Sequence, residues 1–491
     1  MRNLIVVDSI KDWTLEVPNA EVVSSKAYLT EEIFRRERSA RIFNVCRSYK
    51  YQSMGYYVSL LAAARGHKTI PTVATIQDMK SQTIVRLAAE DLDELIQKSL
   101  ADIRLNEFVL SIYFGKNLAK KYERLSAQIY RLFHAPFIRA HFAWDDEKWV
   151  LRKVVPISPR EIPPSHQEDV ARFSKEYFEG KRTTRSKKPE TRFSLAILTN
   201  SSEEFPPSNA KALERFVKAA EKLHMEVELI TRDDFSRLAE FDGLFIRETT
   251  NVNHHTFNFA RRAAAEGLVV IDDPESILRC TNKVYLNELL EKNDIPSLKT
   301  MIVHKENVFS VVETVGLPCV LKQPDSSFSQ GVVKVTTEQA LLEQVHSLLE
   351  KSELVIAQEF VPTDFDWRVG MIDGKPLYVS KYYMAKKHWQ IIKRDENGRL
   401  RDGKSETIPV ELAPRKLITL AQKAAHLIGH GFYGLDIKEV GKQFKVLEIN
   451  DNPSIDAGCE DLVLKDQLYM RIMEVFLQRM ILKKEGRELP Y

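Results

Sequence analysis

Near the carboxyl end, GLDIKEVGKQFKVLEIN (434–450) alternates apolar and polar residues on both sides of Gly441-Lys442, the pattern of two strands joined by a tight turn. A turn centred on Lys442 puts Asp436 opposite Glu448. Asn450 shares the face of Glu448, because strand side chains alternate with a period of two. Carboxylate and amide oxygens on one sheet face are the donors a hard divalent cation such as Mg²⁺ takes, with phosphate oxygens and water completing its shell. A hairpin facing solvent would carry the same residues, so the set gains meaning only from cations placed elsewhere.

Two lysines supply them. Lys283 lies near the start of a helix expected over 281–293, where its charge adds to exposed backbone N–H groups. Lys322 ends the strand CVLK (319–322) and is followed by QPDSSFSQG (323–331) and a second strand, VVKV (332–335). Strand, small polar loop, strand is a lid able to hydrogen-bond a polyphosphate. It is not a P-loop, since GxxxxGK[ST] is absent. In LVIAQEFVPTDFDWRVG (354–370) a strand runs into QEFV, a proline loop follows, and DWR opens another strand. A strand-to-loop hinge of this kind suits an adenine, with an acidic side chain taking a ribose hydroxyl. Arg368 and Lys381 then fall on neighbouring strands as cations for a transferring phosphoryl group.

These residues need a scaffold, and the chain divides at one conspicuous place. KRTTRSKKPE (181–190) has no aliphatic residue and reads as a solvated linker, with a nucleic-acid-binding tract as the alternative. After it, FSLAILTN (193–200), a helix at 209–223, VELI (227–230), DGLFIRET (242–249), a helix at 256–266 and GLVVIDD (267–273) alternate as βαβ units, which implies a small parallel sheet. Arg247 ends one of those strands, where a guanidinium can bind a substrate carboxylate in bidentate fashion or close a salt bridge between domains. Before the linker, strands at 4–8 and 42–46 and helices at 54–67 and 81–99 read as mixed α/β. Arg47 and Lys50 sit just past a strand end, suited either to an acidic acceptor or to a solvated aromatic corner.

Composition excludes several classes. The chain has 491 residues, of which 44% are hydrophobic and 29% charged, ordinary globular values that rule out a disordered or fibrous chain. A formal net charge of +3 over this length argues against a nucleic-acid-coating protein. Four scattered cysteines form no CxxC pair, so a zinc ribbon or disulfide framework is not expected; Cys46 and Cys280 read as small buried apolar residues. The apolar run LIVV at the start is too short for a signal-peptide core, no stretch is long enough to span a membrane, and a cytoplasmic homo-oligomer is expected. His388 and the pair His254-His255 have no partners at readable spacing and read as ordinary histidines.

The order Lys283, Lys322 with its lid, Gln358-Glu359-Phe360-Val361, Asp366-x-Arg368, Asp436 and Glu448-x-Asn450 resembles the ATP-grasp superfamily. QEFV, DWR and VLEINDNPS are most like the RimK-like carboxylate–amine ligases, relatives of the ribosomal-protein glutamate ligases and glutathione synthetases. The likeness spans about 190–485, and residues 1–180 are similar, more faintly, to the amino-terminal extension of some RimK-like proteins. It implies α/β and α+β domains: an amino-terminal extension (1–185), a parallel-sheet domain (190–275), a first ATP-grasp lobe with the lid (276–356) and a second lobe with the hairpin (357–491). It also implies that Lys283, Lys322, Ser327 and Gly331 bind nucleotide phosphates, that Glu359 and Val361 hold adenine, and that Asp366 holds the ribose. Asp436, Glu448 and Asn450 would hold two Mg²⁺ ions, replaceable by Mn²⁺, while Arg368 and Lys381 would face the reacting phosphoryl group. The lid departs from the family's glycine-rich form, which weakens the placing of the γ-phosphate most. The activity implied is an ADP-forming ligase joining a carboxylate to the amine of an amino acid, peptide or protein tail. A small-molecule kinase and a non-catalytic nucleotide-binding scaffold are the alternatives.

Overall fold

The computed structural model describes residues 2–37, 39–145, 147–179, 193–325, 331–385, 389, 392–394 and 400–487. The basic tract 181–190, Ser327 with the rest of the lid tip, and His388 lie outside the described residues. The chain forms two compact units, one of Met1–Ser194 with Asp233–Phe241, the other of Leu195–Arg232 with Asp242–Tyr491.

In the first unit, a four-stranded parallel sheet runs in the order Glu21–Ser24, Arg2–Val7, Ala40–Asn44, Lys68–Ile70. The central strands are buried almost throughout, the first as the apolar run LIVV (4–7), because both faces are covered. The helix Met54–Ala64 starts at Ser53, whose side chain accepts from the Tyr56 amide, and gives way to Gly66 at φ +67°. A separate antiparallel sheet joins Glu107–Tyr113, Phe137–Asp145 and Lys148–Pro156. The single helix expected at 81–99 is broken at Leu92 into Gln82–Asp91 and Asp93–Leu100. The break lets Val85 and Ala89 on one half and Ile96 and Leu100 on the other enter one apolar cluster with Leu151 and Val154.

The second unit carries three sheets. The small sheet has the order Val269–Ile271, Gly243–Arg247, Phe193–Thr199, Met225–Ile230, with Gly243–Arg247 parallel to both of its neighbours. The helices Ala210–Lys222 and Asp466–Lys484 cover it. Tyr469 meets Phe216 at 4.8 Å and Phe476 meets Phe245 at 5.3 Å. Met480 lies so close that a Cβ on Gly243 would stand 2.6 Å from its methyl carbon. An antiparallel sheet follows in the order Thr300–Val303, Val355–Glu359, Cys319–Lys322, Val332–Val335. The strand Val355–Glu359 thus lies whole in this sheet, across the lobe boundary expected at 356/357. A five-stranded antiparallel sheet, in the order Ser405–Ile408, Lys375–Tyr383, Phe365–Ile372, Phe432–Val440, Gln443–Asp451, packs under the helix Arg415–Ile428. Cys280, Leu286 and Leu290 join that same core, which fixes the start of the helix Lys283–Lys292 beside it.

Candidate active site

The hairpin Phe432–Val440/Gln443–Asp451 turns through Gly441-Lys442, with Gly441 at φ +63°, a geometry that matches the twist of the strands. Pairing runs from Val440↔Gln443 to Ile437↔Val446 and then jumps to Asp436↔Glu448. A two-residue turn alone would set Asp436 against Leu447. Leu447 is an extra residue in its strand, a β-bulge, and it is the bulge that brings Glu448 opposite Asp436. The expected pair therefore forms, by a different route from a turn centred on Lys442. Asn450 follows opposite Gly434, where a Cβ would stand 3.2 Å from Cδ of Arg368.

These side chains line a cavity of about 350 Å³ within the second unit. Arg368, in register with Asp436 on the neighbouring strand, grips both oxygens of its carboxylate at 2.6 and 2.9 Å. Asn450 Nδ2 donates to the same carboxylate at 3.2 Å. Burial raises the pKa of Asp436, and Arg368 only partly offsets it. Glu448 behaves oppositely. Burial pushes its pKa up, but the charges of Lys283, at 3.2 Å, and of Lys322 outweigh that and hold it below the ordinary value. Burial lowers the pKa of Lys322, against the pull of Glu448. The Lys283 amide donates to the carbonyl of Pro324 at 2.9 Å, tying the helix start to the stem of the lid. An arrangement of carboxylates and an amide oxygen against these cations can hold hard metal ions and phosphate together.

The cavity also has apolar lining, from Leu298, Val320, Phe360, Met384 and Leu447. Glu359 and Val361 line it, as the hinge reading requires. Glu359 is fixed in place: its carboxylate accepts from the Lys299 amide at 2.9 Å and from Lys445 Nζ at 2.8 Å. Asp366 also lines the cavity, paired with Lys438 Nζ at 2.6 Å and accepting from the Thr363 hydroxyl at 2.9 Å.

Two family profiles match the chain, that of the RimK-like ATPgrasp N-terminal domain over residues 25–173 and that of the RimK-like ATP-grasp domain over residues 280–464. The chain belongs to the RimK-like ATP-grasp family. The alpha-aminoadipate–LysW ligase LysX of Saccharolobus solfataricus is 28% identical over 198 residues, covering 38% of this chain and 67% of that protein. The tetrahydromethanopterin:alpha-L-glutamate ligase of Methanocaldococcus jannaschii is 25% identical over 259 residues, covering 48% and 85%. Among solved structures, D-alanine–D-alanine ligase of Bacillus anthracis aligns with 60% of this chain and 98% of its own at 14% identity and a TM-score of 0.46. A RimK domain ATP-grasp protein of Sphaerobacter thermophilus aligns with 57% and 98% at 16% identity and a TM-score of 0.43.

Within the RimK-like domain, several expected residues stand elsewhere. Lys381 pairs in register with Trp367, so it points to the opposite sheet face from Arg368. It packs over the rings of Phe365 and Trp367 and lies 3.7 Å from Glu406, away from the cavity lining. Gly331 serves the lid stem: it sits at φ +67°, where a Cβ would stand 2.8 Å from Gln323 Oε1. Arg247 is 1% exposed and binds the chain itself. Its guanidinium donates to Ser208 Oγ, to Asn452 Oδ1 at 2.6 Å and to the carbonyls of Pro207 and Pro453, which leaves no open fork for a substrate carboxylate. Both sequence readings of Arg247 give way to a clamp on two loops, and Pro207 and Asn452 line the cavity. In the first unit, Arg47 is committed to Asp12 at 3.0 Å, with Arg160 on the same carboxylate, while Lys50 is exposed. Sequence reasoning missed Lys438, although it stands two residues from Asp436 on one strand face. It also missed Thr250, whose hydroxyl donates to Asp451 at 2.6 Å in the cavity wall.

Proposed function

We propose that the protein is an ATP-dependent, ADP-forming ligase that joins a carboxylate to the amine of an amino acid, a peptide or a protein tail. One observation carries the reading: Asp436, Glu448 and Asn450 lie on one face of a bulged hairpin, in the same cavity as Lys283, Lys322 and Arg368. That donor set suits two Mg²⁺ ions, which when bound would neutralise phosphate charge and align the γ-phosphoryl group. Lys283 and Lys322 would take phosphate oxygens, and the apolar wall beside Glu359 and Val361 would take the adenine. A substrate carboxylate oxygen attacks the γ-phosphorus, the bond to the β–γ bridging oxygen breaks and ADP leaves. The amine nitrogen then attacks the acyl carbon, the carbon–oxygen bond to phosphate breaks and the amine loses a proton, giving an amide and inorganic phosphate. Arg368, held against Asp436, would offset charge developing on the transferring group. Among the described residues no helix is long and apolar enough to cross a membrane, and we take the reaction to be cytoplasmic.

The test is phosphate release from Mg-ATP across a panel of amino acids, carboxylates and peptides, followed by mass measurement of the product. Release that requires both a carboxylate and an amine, yields the condensed mass and is lost in Glu448→Gln supports the ligase. Phosphorylated product without amine dependence would make it a kinase. Nucleotide binding without turnover on any substrate would favour the scaffold.

A further inference from the structure

Glu248, His254 and His255 form a second cluster of metal-binding groups, on the loop between the strand Gly243–Arg247 and the helix His255–Ala265. One ligand atom from each lies within 4.8 Å of the other two. Glu248 is 2% exposed, and a carboxylate this buried needs a positive partner. His255 Nε2 stands 3.0 Å from both of its oxygens, and Asn200 Nδ2 donates to Oε1 at 3.2 Å.

Adjacent residues on a helix normally point about 100° apart. Here His254 is the N-cap, with extended backbone at φ −129° and ψ 158°, so its ring folds back to a centroid distance of 4.0 Å from that of His255. Nδ1 of His254 lies 3.1 Å from Thr256 Oγ1, whose hydroxyl reaches the Thr249 carbonyl at 3.4 Å. A hydrogen bond on one ring nitrogen is the outer-shell contact that orients metal-bound imidazoles, with the other nitrogen facing the ion.

We propose that Glu248, His254 and His255 bind Zn²⁺ or a like transition-metal ion, at a site separate from the Mg²⁺ hairpin. Two imidazole nitrogens and one carboxylate oxygen match zinc and its neighbours, whereas Mg²⁺ takes oxygen donors. Metal–ligand bonds of about 2.0–2.1 Å put tetrahedral ligands roughly 3.3 Å apart. The Glu248–His255 pair, at 3.0 Å, is already close to that spacing, and since no separation exceeds 4.8 Å the widest must close by at most roughly 1.5 Å, within reach of ring rotation. The site would pin the loop that carries Thr249, Thr250 and Asn251 into the cavity wall. The inference does not depend on the ligase reading.

The untagged full chain, loaded with Zn²⁺ and dialysed against excess Mg²⁺ with a weak chelator, is assayed for metal by mass spectrometry. About one equivalent of zinc should remain in the wild type and in Asn450→Ala, and none in His254→Ala/His255→Ala. Zinc should raise the melting temperature of the first two alone. Co²⁺ in the wild type should give the visible absorption of a four-coordinate site, weakened in Glu248→Gln, a readout that stands if the double variant does not fold. A wild type that keeps no zinc, a double variant that keeps as much, or Co²⁺ without that absorption overturns the site.

Discussion

Replacing Arg247 by lysine separates a clamp from a substrate ligand. The guanidinium spreads its donors over the Ser208 hydroxyl, the Asn452 amide oxygen and the carbonyls of Pro207 and Pro453, all at 2.5–3.1 Å. Burial lowers its pKa to about 10, so it stays charged near neutrality, and lysine keeps that charge. An ammonium, however, offers three donors from one point and cannot span a planar fork. At least one of the four acceptors is left bare, and a buried acceptor without a donor costs ~1–3 kcal/mol. At ~2–4 °C per kcal/mol for a body of this size, a loss of ~2 kcal/mol lowers the melting temperature by roughly 4–8 °C. Thermal unfolding without nucleotide reads that fall, and steady-state kinetics at saturating ATP read the KM of each co-substrate. The clamp predicts a lower melting temperature, with small changes in KM of similar size for ATP and the carboxylate. An unchanged melting temperature with a KM for the carboxylate alone raised tenfold or more would refute the clamp and return Arg247 to substrate binding.

Lys283→Ala and Lys322→Ala should each weaken ATP binding ~10–100-fold by calorimetry, since hydrogen bonds to charged groups contribute ~1.5–3 kcal/mol; unchanged affinity in both would remove them from the phosphate site. Lys381→Ala should reduce kcat by less than about tenfold, under ~1.4 kcal/mol, because Lys381 lies on the face away from the cavity. A loss of several orders of magnitude in that variant would contradict the observed sheet register. In the first unit, burial would raise the pKa of Asp12, but hydrogen bonds from Arg47 and Arg160 hold it below the ordinary 3.8. A depressed carboxylate adds stability above its unfolded pKa and loses it as pH falls through the folded one. Asp12→Asn should therefore destabilise the protein near neutral pH by ~0.5–1 kcal/mol, since both arginines are half exposed and screened. In acid-scanned melts the difference should start to shrink as pH falls to about 3.8 and vanish only below the lower, folded pKa; a difference that stays constant down through that range would argue against the ion pairs.

The hairpin was legible because strand alternation is a local rule: Glu448 and Asn450 share a face by a period of two, while the pairing of Asp436 with Glu448 needs the bulge as well as the glycine turn. The bulge was written there too, since Val446-Leu447 puts two apolar residues where alternation allows one. Lys381 was misassigned because adjacency of strands says nothing of faces, and the face depends on a register with its own irregularity at Gly370/Met371. Arg247 was beyond local reading. Its partners at 207–208 and 452–453 are brought to it by tertiary packing of distant segments, and a strand-end arginine looks the same whether its fork is open or filled. The His254-His255 pair was passed over because Glu248 lies across a loop, where no helical or strand period connects it to the rings.

The helix Asp466–Lys484 covers the small sheet whose first strand begins at Phe193, and this orders events during synthesis. Phe216 and Phe245 meet Tyr469 and Phe476, aromatic partners translated more than two hundred residues later. At ~5–20 residues per second, a ribosome needs roughly 12–50 s to travel that distance. The parallel sheet, though early in the message, has an unfinished core for all of that time, and its exposed apolar face is a natural substrate for chaperones. The segments of the first unit, Met1–Ser194 and Asp233–Phe241, all leave the ribosome before that helix is made.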